Sequence, residues 1–119
     1  MPQSAVIGVD IGTSSSKGVL VGLDGAVLYT AAREHAVDRP APGHVEMHAD
    51  IWWDEFVSLT RELTAARDAD VVAVGVSGMG PCVLLTDEND TPVRPAILYG
   101  VDTRSVPQIE RLERELGAD

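Results

Sequence analysis

Residues 5–21 have the sequence AVIGVDIGTSSSKGVLV, which is the most informative segment for predicting the fold. Its first part, Ala5 to Val9, is a short apolar run rich in β-branched residues, which predicts a strand buried on both faces. Asp10 ends that run, Gly12 to Ser16 form a small polar turn, and Lys17 to Leu23 return as a second strand. The stretch therefore predicts two strands joined by a polar turn that follows a carboxylate.

The next segments extend this pair of strands into an α/β fold. Asp24-Gly25 is typical of a two-residue type I′ hairpin turn, which requires positive φ at both positions, and Ala26 to Ala32 follows as a third strand. Asp50 is a favourable N-cap for an amphipathic helix. Val71 to Val76 is a further buried strand, so the helix before it is a crossover connection. The predicted inner face of that helix consists of Trp53, Phe56, Leu59 or Thr60, Leu63 and Ala66.

Shorter elements complete the predicted order. Val83–Leu85 and Ala96–Tyr99 favour short strands, and Ser105 is the predicted cap of a last helix that Gly117 ends. Three strands, a helix, a strand, short strands and a helix are the opening of a ribonuclease H-like α/β domain, in which further elements normally follow. We therefore expect a partial domain over residues 1–119, consisting of an antiparallel meander, a crossover helix and further strands.

Composition excludes several classes of protein. The chain has 19 acidic and 9 basic residues and a formal net charge of -10, which disfavours nucleic acid as a partner. Cys82 is the only cysteine, so no internal disulfide is available. The N-terminus lacks a basic region followed by a long apolar one, and no apolar run approaches the ~20 residues that span a bilayer. We expect a soluble cytoplasmic protein without membrane partners.

The polar turn after the first strand has the chemistry of a phosphate site. A carboxylate such as Asp10 at the end of a buried strand needs a cationic partner, and nucleotide-bound Mg²⁺, held through water, is one such partner. Gly12 allows close approach of the backbone, and residues 13–16 offer N–H groups and four consecutive hydroxyls. Lys17 adds a positive charge. An ordinary serine-rich hairpin is the alternative that this chemistry leaves open.

Two better-known phosphate loops are excluded by spacing. A Walker loop requires Gly-Lys-Ser/Thr, whereas Lys17 lies between Ser16 and Gly18. A dinucleotide-binding turn requires a helix after it, whereas residues 19–21 predict a strand. A phosphate cradle between two strands is what remains.

Four motifs in order resemble the FGGY carbohydrate kinases, which belong to the actin, Hsp70 and sugar kinase superfamily. Residues 7–17 are similar to the first phosphate motif of that family, and residues 43–53 to the segment that leads into its first long helix. Residues 74–80 are similar to its substrate-side strand end. Residues 92–104, which end in Asp102 and Arg104, are similar to its next strand and turn. The ordered match extends over nearly the whole chain.

The resemblance implies an ATP-dependent kinase that transfers the γ-phosphate of ATP to a hydroxyl of a ketose or polyol, with ATP and Mg²⁺ as cofactors. Asp10 would then help to hold the metal ion. Thr13 and Ser14 would contact the transferred phosphate, Ser15 would contribute its backbone or hydroxyl, and Lys17 would balance phosphate charge. The general base of the family, an aspartate, is expected downstream of this segment, as is most of the adenosine site. The isolated chain should therefore be inactive.

On the substrate side the resemblance implies roles for Ser77, Met79, Gly80 and Asp102. The segment from Met79 to Cys82 departs from the polar residues of both glycerol kinases and xylulokinases, and Tyr99 stands where relatives often have Trp. The sugar is therefore not assigned. Asp102 and Arg104 either hold each other structurally or line the cleft.

Other interpretations stay open beside the kinase. One is a non-catalytic binding or regulatory module of the same fold, and another is a fragment of an Hsp70-like or actin-like ATPase. His44, Glu46 and His48 have metal-like spacing, but they lie in a Pro/Gly loop without further ligands, which disfavours a metal site. Met79 and Cys82 are expected to be packing residues. A partial α/β domain exposes apolar surface, so we expect self-association.

Overall fold

The computed structural model describes residues 1–117. The elements in chain order are β1 (Gln3–Ile11), β2 (Ser15–Gly22), β3 (Val27–Glu34), β4 (Glu46–Met47), α1 (Asp50–Ala66), β5 (Ala69–Gly78), β6 (Ala96–Ile97) and α2 (Val106–Leu116). None of the helices in this part of the chain has both the length and the apolar character needed to cross a bilayer.

Four strands form the main sheet in the order β3-β2-β1-β5. β1 pairs with β2 and β2 with β3 in antiparallel register, which confirms the predicted meander. β5 pairs with β1 in parallel, and a parallel pair needs a crossover connection, which α1 provides. The predicted α/β class is therefore confirmed, and the three strands, the helix and the following strand occur in the predicted order. The two-residue strand β4, which lies before α1, was not predicted.

Helix α1 covers one face of the meander. Ala5, Ile7, Val9 and Leu20 point towards it because side chains alternate along a strand, and Leu59 and Leu63 of the helix meet them. We call these six buried residues the first apolar cluster. Gly18 permits the close approach, since a Cβ at this position would lie 2.9 Å from Cδ1 of Leu63.

A second apolar cluster lies around the two-stranded ladder of β4 and β6. It consists of Val45, Met47 and Leu98, each about 1% exposed. Trp52 packs against this cluster, and its indole N–H donates to Sδ of Met47 at 3.0 Å. The second cluster therefore connects the start of α1 to the loop region that follows β5.

Several local predictions are wrong in detail. The β2–β3 connection has four residues, and Gly25 is its only residue with positive φ, so it is not a type I′ turn. Asp50 is the first residue of α1, and Ala49 holds the cap position without a side-chain bond. Trp53, placed on the inner face by periodicity, is 66% exposed and stacks on Phe56. Trp52 is the one that turns inward.

Other apolar segments are less buried than the sequence suggests. β5 was expected to be buried, but Val72, Val74 and Val76 are more than half exposed because α1 packs on β1, β2 and β3. The apolar stripe of α2 has no buried residue. Val83–Leu85 forms no strand, since Val83 only makes an isolated bridge to Ile97.

Candidate functional site

The parallel strands β1 and β5 end at the same edge of the sheet, and their last polar residues meet there. Asp10 is paired with Ser77 in the ladder, so both side chains lie on one face. The Ser77 hydroxyl donates to Oδ1 of Asp10 at 2.7 Å. The carboxyl ends of parallel strands are where open α/β sheets bind ligands. Asp10, predicted from the first motif, and Ser77, predicted from the third, are thus in direct contact.

The turn between β1 and β2 is closed by a backbone hydrogen bond. The Gly12 N–H donates to the Ser15 carbonyl at 2.8 Å, and a Cβ on Gly12 would lie 3.0 Å from that same oxygen. In the hydrogen bonds of residues 1–117, the N–H groups of Thr13 and Ser14 have no acceptor. These two amides are the donors that the turn can offer to a phosphate oxygen.

The turn also contacts the end of β5 through a side chain. The Thr13 hydroxyl lies 3.1 Å from Sδ of Met79, and the Met79 N–H donates to the Ile11 carbonyl at 3.2 Å. The predicted phosphate residues and the predicted substrate residues therefore share one edge of the sheet.

Lys17 supplies positive charge on the same face as Asp10. The two residues are cross-strand partners in the β1–β2 ladder, and both side chains are exposed. Together with Ser77 they line an open concavity of about 780 Å³ on the face opposite α1. Small residues, including Gly8 and Gly75, form its floor. The carboxylate and the ammonium group can thus both reach a ligand above this edge of the sheet.

A second concavity, of about 460 Å³, begins at Ser77 on the side of the predicted substrate residues. Its other lining residues include Trp52, Met79, Gly80 and Cys82. The lining is largely apolar, so it offers shape and a few polar atoms rather than paired side-chain hydrogen bonds. Cys82 and Met79 also pack against the second apolar cluster, as expected for packing residues.

Asp102 does not line the concavity that contains Ser77, Met79 and Gly80. Its carboxylate is 4% exposed, accepts from the Val45 N–H at 2.6 Å, and is bound by the Arg104 guanidinium at 2.7 Å. The hydrogen bond from Arg104 holds the pKa of Asp102 well below its usual range, against the opposing effect of burial. Of the two roles left open for this residue, the geometry favours the structural one.

Glu46 extends this arrangement into an ionic network of four residues: Glu46, Arg94, Asp102 and Arg104. Oε2 of Glu46 accepts from both arginines at 2.6 Å, and the bond from Arg104 is the main cause of its lowered pKa. Because its carboxylate is already paired, Glu46 is not free for a metal. No cluster of three metal-binding side chains occurs within residues 1–117.

Two residues that contact the turn were not predicted from the sequence. His35, just after β3, and Glu55, on α1, form a buried pair behind the turn, and Glu55 accepts from the Ser16 hydroxyl. The available signal was strand alternation, which places Ser16 on the covered face, where a buried hydroxyl requires a partner.

Over residues 5–119 the chain matches the N-terminal domain of the FGGY family of carbohydrate kinases. The chain belongs to this family. The FGGY domain is 32% identical over 113 residues to the xylulose kinase of Staphylococcus xylosus and 32% identical over 115 residues to the glycerol kinase of Methylobacterium radiotolerans. These matches cover 94% and 93% of this chain and 23% of each relative.

A solved structure shares the fold of the FGGY domain. The crystal structure of xylulose kinase from Rhodospirillum rubrum superposes with a TM-score of 0.89 at 33% identity, over 94% of this chain and 23% of that one. The resemblance drawn from the four motifs and the expected sugar kinase fold are both confirmed. The chain spans 23% of the length of these relatives.

Proposed function

We propose that the protein containing this FGGY domain is an ATP-dependent carbohydrate kinase that transfers the γ-phosphate of ATP to a hydroxyl of a ketose or polyol. The chain would supply the phosphate-binding turn and one wall of the sugar site, as the N-terminal part of the first domain. The observation that carries the proposal is the hydrogen bond between Asp10 and Ser77, which brings the phosphate motif and the substrate-side strand end to one edge of the sheet.

The residues around the turn fit MgATP. Asp10 is exposed, and its Oδ2 makes no hydrogen bond within residues 1–117, so a single carboxylate oxygen remains for a water-coordinated Mg²⁺. When bound, the metal ion would neutralise charge on the phosphate oxygens. The free amides of Thr13 and Ser14 would donate to the same phosphate, and Ser15 would hold the turn closed through its carbonyl.

Charge and orientation are what these residues can contribute. Phosphoryl transfer depends mainly on positioning and on electrostatic stabilisation, because the protein has little covalent chemistry to do. Lys17 lies beside Asp10 and would balance phosphate charge. Ser77, Met79 and Gly80 would orient the sugar from the other side of the turn. We assign deprotonation of the sugar hydroxyl to an aspartate outside this chain, as the family resemblance implies. We also propose that the reaction takes place in the cytoplasm.

The apolar lining between Trp52 and Cys82 bears on the substrate. Without paired polar side chains on this wall, the sugar hydroxyls must be recognised mainly by residues outside the segment. We therefore propose the class, a ketose or polyol, and leave the individual sugar to measurement.

The test is sugar-dependent formation of ADP from MgATP by the full-length protein, over a panel of ketoses and polyols, with the 119-residue chain beside it. Activity in the full-length protein alone is the expected result. Replacement of Asp10 by Asn should reduce kcat at least about 100-fold with little change in the KM for the sugar. Asp70→Asn, at the opposite end of the sheet, is the matched control. Full-length protein that is silent on the whole panel would favour a non-catalytic binding module instead.

A further inference from the structure

A buried polar network lies behind the turn, on the side that faces α1. Nε2 of His35 is 2.8 Å from the Gly12 carbonyl oxygen, and Nδ1 is 2.9 Å from Oε2 of Glu55. That same carboxylate oxygen is 2.5 Å from the Ser16 hydroxyl. The side chains of His35 and Glu55 are 5% and 13% exposed, and Ser16 is fully buried. Residues from β2, from the position just after β3 and from α1 therefore hold the turn through one hydrogen-bond network.

The partners of the imidazole fix its proton count. The Gly12 carbonyl can only accept a hydrogen bond, so Nε2 must carry a proton. Nδ1 faces a carboxyl group, so a second proton must lie between Nδ1 and Glu55, on one side or the other. A neutral His35 beside an ionised Glu55 lacks one proton, and one of the two contacts would then bring a lone pair against an oxygen.

Among the hydrogen bonds and ion pairs of residues 1–117, Glu55 is the only charged partner of the ring. On β3, Arg33 is bound to Ser58 and Glu62. On β1 and β2, Asp10 and Lys17 point to the opposite face of the sheet from Ser16. The shared proton therefore belongs to the His35–Glu55 pair.

We propose that His35 and Glu55 are positioning residues that hold the phosphate-binding turn in its ligand-ready geometry. Their side chains restrain Gly12 and Ser16 from the helix side, and the backbone N–H of His35 donates to the Ser14 carbonyl at 3.0 Å. These bonds occupy the carbonyl oxygens of Gly12 and Ser14. The N–H groups of Thr13 and Ser14 take no part in them and remain available to phosphate. The inference rests on the proposed function, since it assigns the turn to phosphate.

Two substitutions at Glu55 separate the network from mere packing. Glu55→Gln can rebuild every bond without the extra proton, because the amide oxygen accepts from Ser16 and the amide nitrogen donates to Nδ1 of a neutral His35. Glu55→Ala removes the support of both Ser16 and the ring. Glu62→Ala, another carboxylate lost from α1 that does not contact the turn, is the control.

In the full-length protein, Glu55→Ala should raise the KM for MgATP by about 10-fold to 100-fold, as loss of a supporting shell does elsewhere, with the KM for the sugar unchanged. Glu55→Gln and Glu62→Ala should stay within about threefold of the wild type. A Glu55→Ala protein with the wild-type KM for MgATP would overturn the proposal, and so would a Glu55→Gln protein as weak as Glu55→Ala.

Two measurements on ligand-free protein judge the network independently of activity. The ¹⁵N spectrum of the His35 ring should show a protonated Nε2 in both wild type and Glu55→Gln, and an unprotonated Nε2 would refute the proton count. Amide exchange at Gly12 and His35 should accelerate in Glu55→Ala and not in Glu62→Ala. If the wild type has no kinase activity, the proposed function fails while these results still decide whether the pair orders the turn.

Discussion

The two apolar clusters of the FGGY domain are surrounded by different chemistry. The first lies between the meander and α1, with apolar neighbours such as Phe56 and Val71 and two separate ion pairs, Arg33–Glu62 and His35–Glu55. The second, beside β4 and β6, is flanked by the ionic network of Glu46, Arg94, Asp102 and Arg104. Burial of apolar surface does not depend on pH, whereas the ionic network does. The first cluster, with six buried residues against three, should therefore contribute more to the stability of the domain, and the ionic network beside the second should contribute to its sensitivity to acid.

The largest effect is expected in the first cluster. Leu59→Ala should lower the free energy of unfolding by about 2–5 kcal/mol, because Leu59 is completely buried between the helix and the sheet. Leu112→Ala on α2 is the matched control, and its loss should stay within about 0.5 kcal/mol because that side chain is 53% exposed. Urea denaturation of both variants measures the difference, and equal losses would contradict the assignment of the core.

A smaller loss is expected from the ionic network. Arg104→Met removes the cation shared by Asp102 and Glu46 and leaves two largely buried carboxylates near each other. Tm at pH 7 should fall by less than in Leu59→Ala and by more than in the control Arg111→Met, which breaks an exposed pair with Glu115. If calorimetry gives the same fall in Tm for Arg104→Met and Arg111→Met, the network does not support the second cluster.

The same network should contribute to the pH dependence of stability, beside Glu62, whose pKa is lowered by its hydrogen bond from Arg33. The pKa values of Asp102 and Glu46 are lowered in the folded state, so each adds stability above its unfolded pKa, about 3.9 and 4.3 respectively. That stability is lost as pH falls below about 4 towards the folded values. Asp102→Asn should therefore be less stable than the wild type at pH 7 and should lose less further stability between pH 5 and 3. If the stability of Asp102→Asn falls between pH 5 and 3 as steeply as that of the wild type, Asp102 is not a source of this pH dependence.

The smallest effect on stability is expected outside both clusters. Val74→Thr and Val76→Thr alter exposed side chains on β5, so the free energy of unfolding should change by about 0.5 kcal/mol or less. Both substitutions make the exposed surface of β5 less apolar, so they should reduce self-association of the 119-residue chain. Sedimentation velocity measures this effect. A wild-type chain that sediments as a monomer at every concentration would refute that expectation.

The sequence predicted those parts of the fold in which neighbouring segments of the chain pair with each other. The apolar run from Ala5 to Val9 and the Gly-containing connection after Gly22 predicted the meander, because strand pairing there needs only a short loop. The expected burial of β1 on both faces was wrong, since only the face with Ala5, Ile7 and Val9 is fully buried. The sequence predicted a strand end at Asp10 and another near Ser77, but the contact between these two residues was not predicted and comes from the parallel pairing of β1 and β5. The roles of these residues in catalysis stay predictions.

What failed depends on partners far away in the chain. Helical periodicity could not tell Trp52 from Trp53, since the choice is made by Met47 and the second cluster. Glu55 was not identified from the sequence, because its partners His35 and Ser16 lie 20 and 39 positions away. Val76 belongs to a strand-like run, and its exposure depends on which strands α1 covers. None of these outcomes is encoded in a window of neighbouring residues.

The sheet order has a consequence for the sequence of folding events. β1, β2 and β3 are consecutive, so the meander closes only short loops, whereas β5 joins β1 across α1. The contacts that assemble the site, Asp10 with Ser77 and Thr13 with Met79, join residues 67 and 66 positions apart. Because closing long loops is slow, these contacts should form after the meander. During synthesis on the ribosome, the two halves of the site can meet only after Met79 has left the exit tunnel.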